Sequence, residues 1–98
     1  MRVALTETAE ADLVANYTHT HHAERSDSAA GNVLGAIVRA INGLARFSLM
    51  GRPGEIPKTR ERFVARYPYR IVYHIDEAGQ VIEVWRIVHA ARQWPPAV

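Results

Sequence analysis

Ninety-eight residues, 48% of them apolar and 22% charged, suffice for one soluble domain with a single core, taken as residues 1–98. The absence of cysteine excludes a disulfide framework and a thiolate metal site, and fits a cytoplasmic setting. Met1 to Ala11 already carries Arg2, Glu7 and Glu10, so no apolar signal-peptide core exists. No stretch approaches the roughly 20 apolar residues that span a bilayer, so no membrane partner is expected. The net charge of +2 hides an asymmetry: residues 1–50 hold four basic residues against five acids, and residues 51–98 hold eight against five. Only Lys58 is a lysine. The positive charge is therefore almost all guanidinium, which suits planar, bidentate recognition of carboxylate or phosphate.

Met1 to Leu5 is short and partly β-branched and predicts a strand. Thr6 is placed to cap a helix whose first turn holds Glu7 and Glu10, both favourable at the positive end of the dipole. Ala9, Leu13 and Tyr17 recur at helical spacing up to about Tyr17 or a little beyond, and the polar run from His19 to Arg25 reads as the exposed end. Asp27 or Ser28 then caps a second helix. Val33, Leu34, Ile37, Val38, Ile41, Leu44 and Ala45 fall on one face of it. Gly31, Gly35 and Gly43 weaken its propensity but leave room for close helix contact, so an antiparallel helical hairpin is expected. Phe47 to Pro57, with Gly51, Pro53, Gly54 and Pro57, must be a loop.

Three strands complete the chain: Lys58 to Tyr67, Tyr69 to Ile75 and Gln80 to Val88. Tyr67-Pro68 and Asp76-Glu77-Ala78-Gly79 form the turns, the second suited to a bulged hairpin. The expected fold is α+β: a strand, a helical hairpin, then a three-stranded antiparallel meander. Alternation puts Phe63, Ala65, Tyr67, Tyr69, Ile71, Tyr73 and Ile75 on the core side. The other side then carries Arg60, Arg62, Arg66, Arg70 and His74, with Val64 and Val72 between them. In the last strand the pattern is ambiguous, and a bulge near Arg86 would re-aim the residues after it.

An arginine-studded sheet face reads as a surface for an anionic partner, either phosphate backbone or an acidic protein segment. The competing reading is a solvated face whose arginines lie over aliphatic neighbours. His19, His21 and His22 are too poorly spaced for a metal centre, as only His19 and His22 share a helical face. Glu61 and His89 offer a base and an acid for RNA cleavage, with an arginine stabilising the phosphorane charge. On parity Glu61 points away from the arginine face, which favours a structural salt bridge for it. No Gly-rich phosphate loop, G-x-S-x-G or H-E-x-x-H motif is present, and no cofactor is expected.

The loop Gly51-Arg52-Pro53-Gly54, "TRERFV" from Thr59 to Val64, "YPYRIVYHI" from Tyr67 to Ile75 and "VWRIVHAARQWP" from Val84 to Pro95 follow one another in order. Together they resemble the ParE-like branch of the RelE/ParE superfamily, toxins of type II toxin–antitoxin pairs. The resemblance implies a helical hairpin packed on a twisted, mainly antiparallel sheet. It also implies a ParD-like antitoxin whose acidic, disordered C-terminal segment wraps the toxin in a hetero-oligomer. ParE-like members poison DNA gyrase, whereas RelE-like members cut mRNA on the ribosome. For the first activity, Arg60, Arg62, Arg66, Arg70, Arg86 and Arg92 would meet target or antitoxin, with Leu13, Tyr17 and Val38 receiving the antitoxin's apolar side chains. Contact with nucleic acid would then come through the antitoxin or the target. For the second, His89 would be the acid, supported by Arg70, Arg86 and Glu61.

Overall fold

A computed structural model describes residues 1–24 and 27–96; the side chains of residues 22–24 and Asp27 are outside the description. The elements are β1 (Arg2–Leu5), α1 (Glu7–Glu24), α2 (Asp27–Leu44), β2 (Arg52–Pro53), β3 (Arg60–Phe63), β4 (Tyr69–Asp76) and β5 (Val81–His89). This is the expected α+β order with one addition, the two-residue β2. The strands form one five-stranded sheet in the order β1-β5-β4-β3-β2. β1 runs parallel to β5, and all other neighbours are antiparallel.

Thr6 caps α1 as its position predicts: the Ala9 amide donates to Thr6 Oγ1 at 3.1 Å. The helix runs well past Tyr17, to Glu24, and Thr20 on that extension is buried. Polarity did not mean exposure at Thr20, which lies against α2, whereas His19 is exposed as expected. The side chain of Asp27, one of the two expected caps, and all of Arg25 lie outside the description. Along α2, Ala30, Val33, Ile37, Ala40, Ile41 and Leu44 are buried at the three-and-four spacing of one helix face. Val38 is left 38% exposed. The glycines do not serve helix contact as anticipated: a Cβ on Gly31 or Gly43 would meet nothing within 4 Å.

The core lies between the hairpin and one face of the sheet. From α2 it takes Ile37, Ile41 and Leu44, and from the strands Ile71, Tyr73, Ile82, Val84 and Ile87. Beyond Leu5 the edge of β5 has no strand partner, and α1 takes over. Thr6 donates its backbone amide to Val84 O at 3.0 Å and its hydroxyl to Trp85 O at 3.0 Å. Six residues further along, the Ile87 amide donates to Asp12 Oδ2 at 2.9 Å. α1 thus satisfies backbone groups that an open sheet edge would expose.

The register decides which side chains share a face. In β4 and β5 the pairs run Tyr69↔His89 to Val72↔Arg86, then shift to Tyr73↔Val84. Trp85 is the extra residue, a bulge beside Arg86 as the sequence suggested, and it keeps both Val84 and Ile87 on the core side. β3 differs from the expectation. It pairs Arg60↔Tyr73, Glu61↔Val72, Arg62↔Ile71 and Phe63↔Arg70, so odd positions of β3 lie opposite even positions of β4. Residues directly opposite share a face. Arg60 and Arg62 therefore stand on the hairpin side with Ile71 and Tyr73. Glu61 and Phe63 stand on the outer side with Arg70 and Val72. The core confirms it: Val64 is buried within the main cluster, whereas Phe63 is 44% exposed.

Candidate functional site

Arg70 and Arg86 lie on the outer face, and each is tied to a carboxylate. Arg70 Nη1 donates to Glu61 Oε1 at 2.9 Å, and Glu61 Oε2 accepts from the Glu55 amide at 2.9 Å. Glu61 is 2% exposed, so both its oxygens are occupied in a dry setting. Contrary to its parity in the sequence, Glu61 faces the same side as Arg70, and the geometry supports its role as a structural salt bridge. Two guanidiniums approach the Phe63 ring, Arg52 at 4.8 Å and Arg70 at 5.2 Å from its centre, close enough for cation–π attraction. Arg86 Nε donates to Asp12 Oδ2 at 2.8 Å and its Nη2 to Oδ1 at 3.3 Å, a bidentate pair that fixes the guanidinium plane. Trp94 stacks beneath the same guanidinium at 5.6 Å.

On the hairpin side, Arg60 Nη1 donates to Gly51 O at 2.6 Å. Beside it, the Tyr73 hydroxyl donates to Ser48 O at 2.6 Å and accepts from the Gly51 amide at 2.9 Å. Burial pushes the Tyr73 phenol above its ordinary value of 10.0; the Gly51 hydrogen bond and the charges of Arg60 and Arg62 oppose the shift. A Cβ on Gly51 would come within 2.7 Å of the Tyr73 hydroxyl and 2.9 Å of Glu61 O, which explains a glycine at this point of the loop. The Gly-Arg-Pro-Gly segment is thus a staple between strand pair and loop.

Arg62 and Arg66 have no hydrogen-bond or ion-pair partner among the described residues, and Arg62 Nε is buried without one. Arg92 is exposed and lines a cleft of about 340 Å³ between α1 and β5, with Asp12, Asn16, His19 and His89. His89 lies edge-on to Tyr69, 5.1 Å between ring centres, and its Nδ1 accepts from the Ala91 amide at 3.0 Å. His19 stands 6.4 Å from it. Because His89 pairs with Tyr69 and Arg70 with Val88, the imidazole belongs to the hairpin side while Arg70, Arg86 and Glu61 belong to the outer side. The four residues of the cleavage reading are not brought together. Leu13 packs on the core, Tyr17 stacks on His21 with ring centres 6.3 Å apart, and Val38 is exposed on α2.

Three features escaped the sequence reading. Asp12, the partner of Arg86, sits 74 residues away in sequence, and nothing local marks it. Phe47, Leu49 and Met50 are 58%, 67% and 51% exposed and form an apolar rim on the loop after α2; the run of large apolar residues was the available signal. Arg39 of α2 shares a cleft with Arg62 and Arg66, which only the fold could reveal.

The family description "ParE toxin of type II toxin-antitoxin system, parDE" matches residues 3–94. This chain belongs to the ParE toxin family. Within it, the Sinorhizobium fredii toxin candidate Y4kP is 40% identical over 73 residues, covering 74% of this chain and 73% of its own. Among solved structures, the chromosomal ParDE toxin–antitoxin system from P. aeruginosa superposes with a TM-score of 0.79 at 27% identity, covering 91% of this chain and 95% of that one. The toxin–antitoxin complex RelBE2 from Mycobacterium tuberculosis gives 0.63 at 25% identity, over 90% and 95%. Membership in the ParE toxin family makes this chain a toxin of a type II system, and the Glu61–Arg70 pair gives its "TRERFV" and "YPYRIVYHI" segments a shared physical purpose. No helix among the described residues is long and apolar enough to cross a membrane.

Proposed function

We propose that this ParE-family toxin acts by binding rather than by catalysis, that its target is DNA gyrase, and that a ParD-like antitoxin neutralises it. One observation carries the reading against catalysis: by register His89 faces the hairpin while Arg70 and Glu61 face the outer side, and Arg70, Glu61 and Arg86 are each held in an ion pair. A general acid and base must reach the same reacting phosphate within hydrogen-bond distance. The greater likeness to ParDE than to RelBE2 points the same way, and the choice of gyrase rests on that analogy. Tight binding of an ordering antitoxin segment needs a large interface, on the order of 2,000 Å². The half-buried Leu13 and Tyr17, the exposed Val38 and the +3 half of the chain offer it apolar and charged contacts.

The deciding experiment is induction of the toxin alone, with assay of gyrase-dependent double-strand breaks and mapping of RNA ends. Broken chromosomes with intact mRNA are expected, together with loss of supercoiling by purified gyrase. Messages cut within codons while chromosomes stay whole would establish the ribonuclease alternative instead, and His89→Ala would then abolish cutting. Among the described residues, the cleft joining His89, His19 and Arg92 favours that alternative.

A further inference from the structure

Most guanidiniums near the sheet are spent within the fold: Arg60 on Gly51 O, Arg70 on Glu61, Arg86 on Asp12, and Arg52 over Phe63. Three others have no such partner among the described residues, and they converge. Arg39 from α2, Arg62 from β3 and Arg66 from the turn after it line one cleft of about 310 Å³, alongside Ala36, Ala40 and Val64. No acidic residue lines this cleft among the described residues. Like charges held together without a counter-charge repel one another, and Arg62 Nε is also buried with no acceptor; Arg70 Nε, Asn16 Nδ2 and Trp94 Nε1 share that state, but Arg62 alone of the four lines this acid-free cleft. Buried donors are almost always paired in folded proteins, so an orphan in a cleft calls for a ligand atom.

Two backbone features accompany the cluster. Arg66 has φ 73°, a left-handed conformation that glycine or asparagine adopts at lower cost. Gly35 leaves space beside α2 that Arg39 uses: a Cβ there would stand 3.2 Å from Arg39 Nη1.

We propose that this cleft is an anion-binding subsite that takes a glutamate or aspartate carboxylate from an acidic peptide segment. Guanidiniums match a planar carboxylate bidentately, and the alanine and valine walls suit the aliphatic stem of such a residue. A nucleic-acid strand is the poorer fit: its phosphates need a row of free cations, and here the free cations converge on one cleft. The inference rests on the neutralisation reading above and deepens it by naming where an acidic partner segment docks on α2 and β3.

The test is a titration of the purified full chain with a synthetic peptide of alternating glutamate and leucine. A charge-matched single-stranded DNA oligonucleotide is titrated separately. Fluorescence anisotropy tracks affinity, and NMR of the arginine Nε–Hε groups tracks the site. The peptide should shift the Arg62 resonance. Arg62→Ala and Arg66→Gly should each weaken binding about tenfold at low salt, while Arg2→Ala should leave it unchanged. Arg66→Gly suits the left-handed backbone, so its loss of binding at an unchanged melting temperature separates recognition from folding. An unmoved Arg62 resonance, parent-like affinity in both variants, or tighter binding of the oligonucleotide through the same resonances would each overturn the subsite. Toxicity and its rescue by co-expression are read in a separate assay, so failure here leaves the neutralisation reading standing.

Discussion

The outer face of the sheet and the cleft beside α2 are both rich in arginine, yet they differ in what those arginines can do. On the outer face Arg70 and Arg86 are held at 2.9 Å and 2.8 Å by Glu61 and Asp12. In the cleft Arg39, Arg62 and Arg66 face no acid among the described residues. Formal charge counts these residues alike, but a guanidinium already in a bidentate or buried pair has little left to offer a partner. The lesson is that available charge comes from register and pairing, and the sequence density of arginine overstates it.

The largest test of that contrast is Glu61→Ala. It removes a buried partner and leaves Arg70 and the Glu55 amide without one, so unfolding free energy should fall by about 3–5 kcal/mol, measured by urea denaturation. Glu61→Gln, which keeps an acceptor, should cost less. A loss below about 1 kcal/mol for Glu61→Ala would place Arg70 among the free arginines. Arg86→Ala should cost about 1–2 kcal/mol, because its side chain is 25% exposed and solvent screens the pair. Toxicity lost in this variant is therefore read only after its stability is known.

The loop anchored between the two regions has its own signature. The Tyr73 phenol titrates above 10.0 in the fold because burial disfavours the phenolate. Its contribution is complete below that unfolded value and is lost as pH rises through the higher folded one. Denaturation midpoints should therefore drop on the alkaline side of about pH 10, and Tyr73→Phe should flatten that limb while lowering stability at neutral pH. The smallest effect is expected in the cleft, where Arg66→Gly should change stability by no more than about 0.5 kcal/mol. A large loss there would mean that the free arginines hold the fold together after all.

Much of the architecture was legible. Thr6 as a cap, the apolar face of α2, the Asp76–Gly79 turn and the bulge beside Arg86 each came from local chemistry. The face of β3 did not. Odd parity does not run unbroken from Phe63 to Ile75, because the chain leaves the sheet after Phe63, with Arg66 left-handed and the Val64 amide donating to Tyr69 O at 2.9 Å. Parity belongs to each strand separately, and the turn between two strands resets it. A single parity run through that turn exchanges Arg60 and Arg62 for Glu61 and Phe63 and merges two surfaces into one. The Arg86–Asp12 pair was beyond reach for another reason: it depends on α1 lying along a sheet edge, and edges are set by topology.

The placement of β1 beside β5 has a temporal side. Arg2 to Leu5 find their partners only in Val81 to Val84, and Thr6 and Asp12 find theirs at Trp85 and Ile87. Closing such distant contacts is entropically slow. During synthesis the first strand and the cap of the first helix wait for the last strand to emerge, so the sheet cannot be completed on a nascent chain that stops short of β5. A truncated product ending before Val81 would lack the partner of every one of these groups, so interrupted translation of this toxin yields an unfinished sheet in place of a working poison.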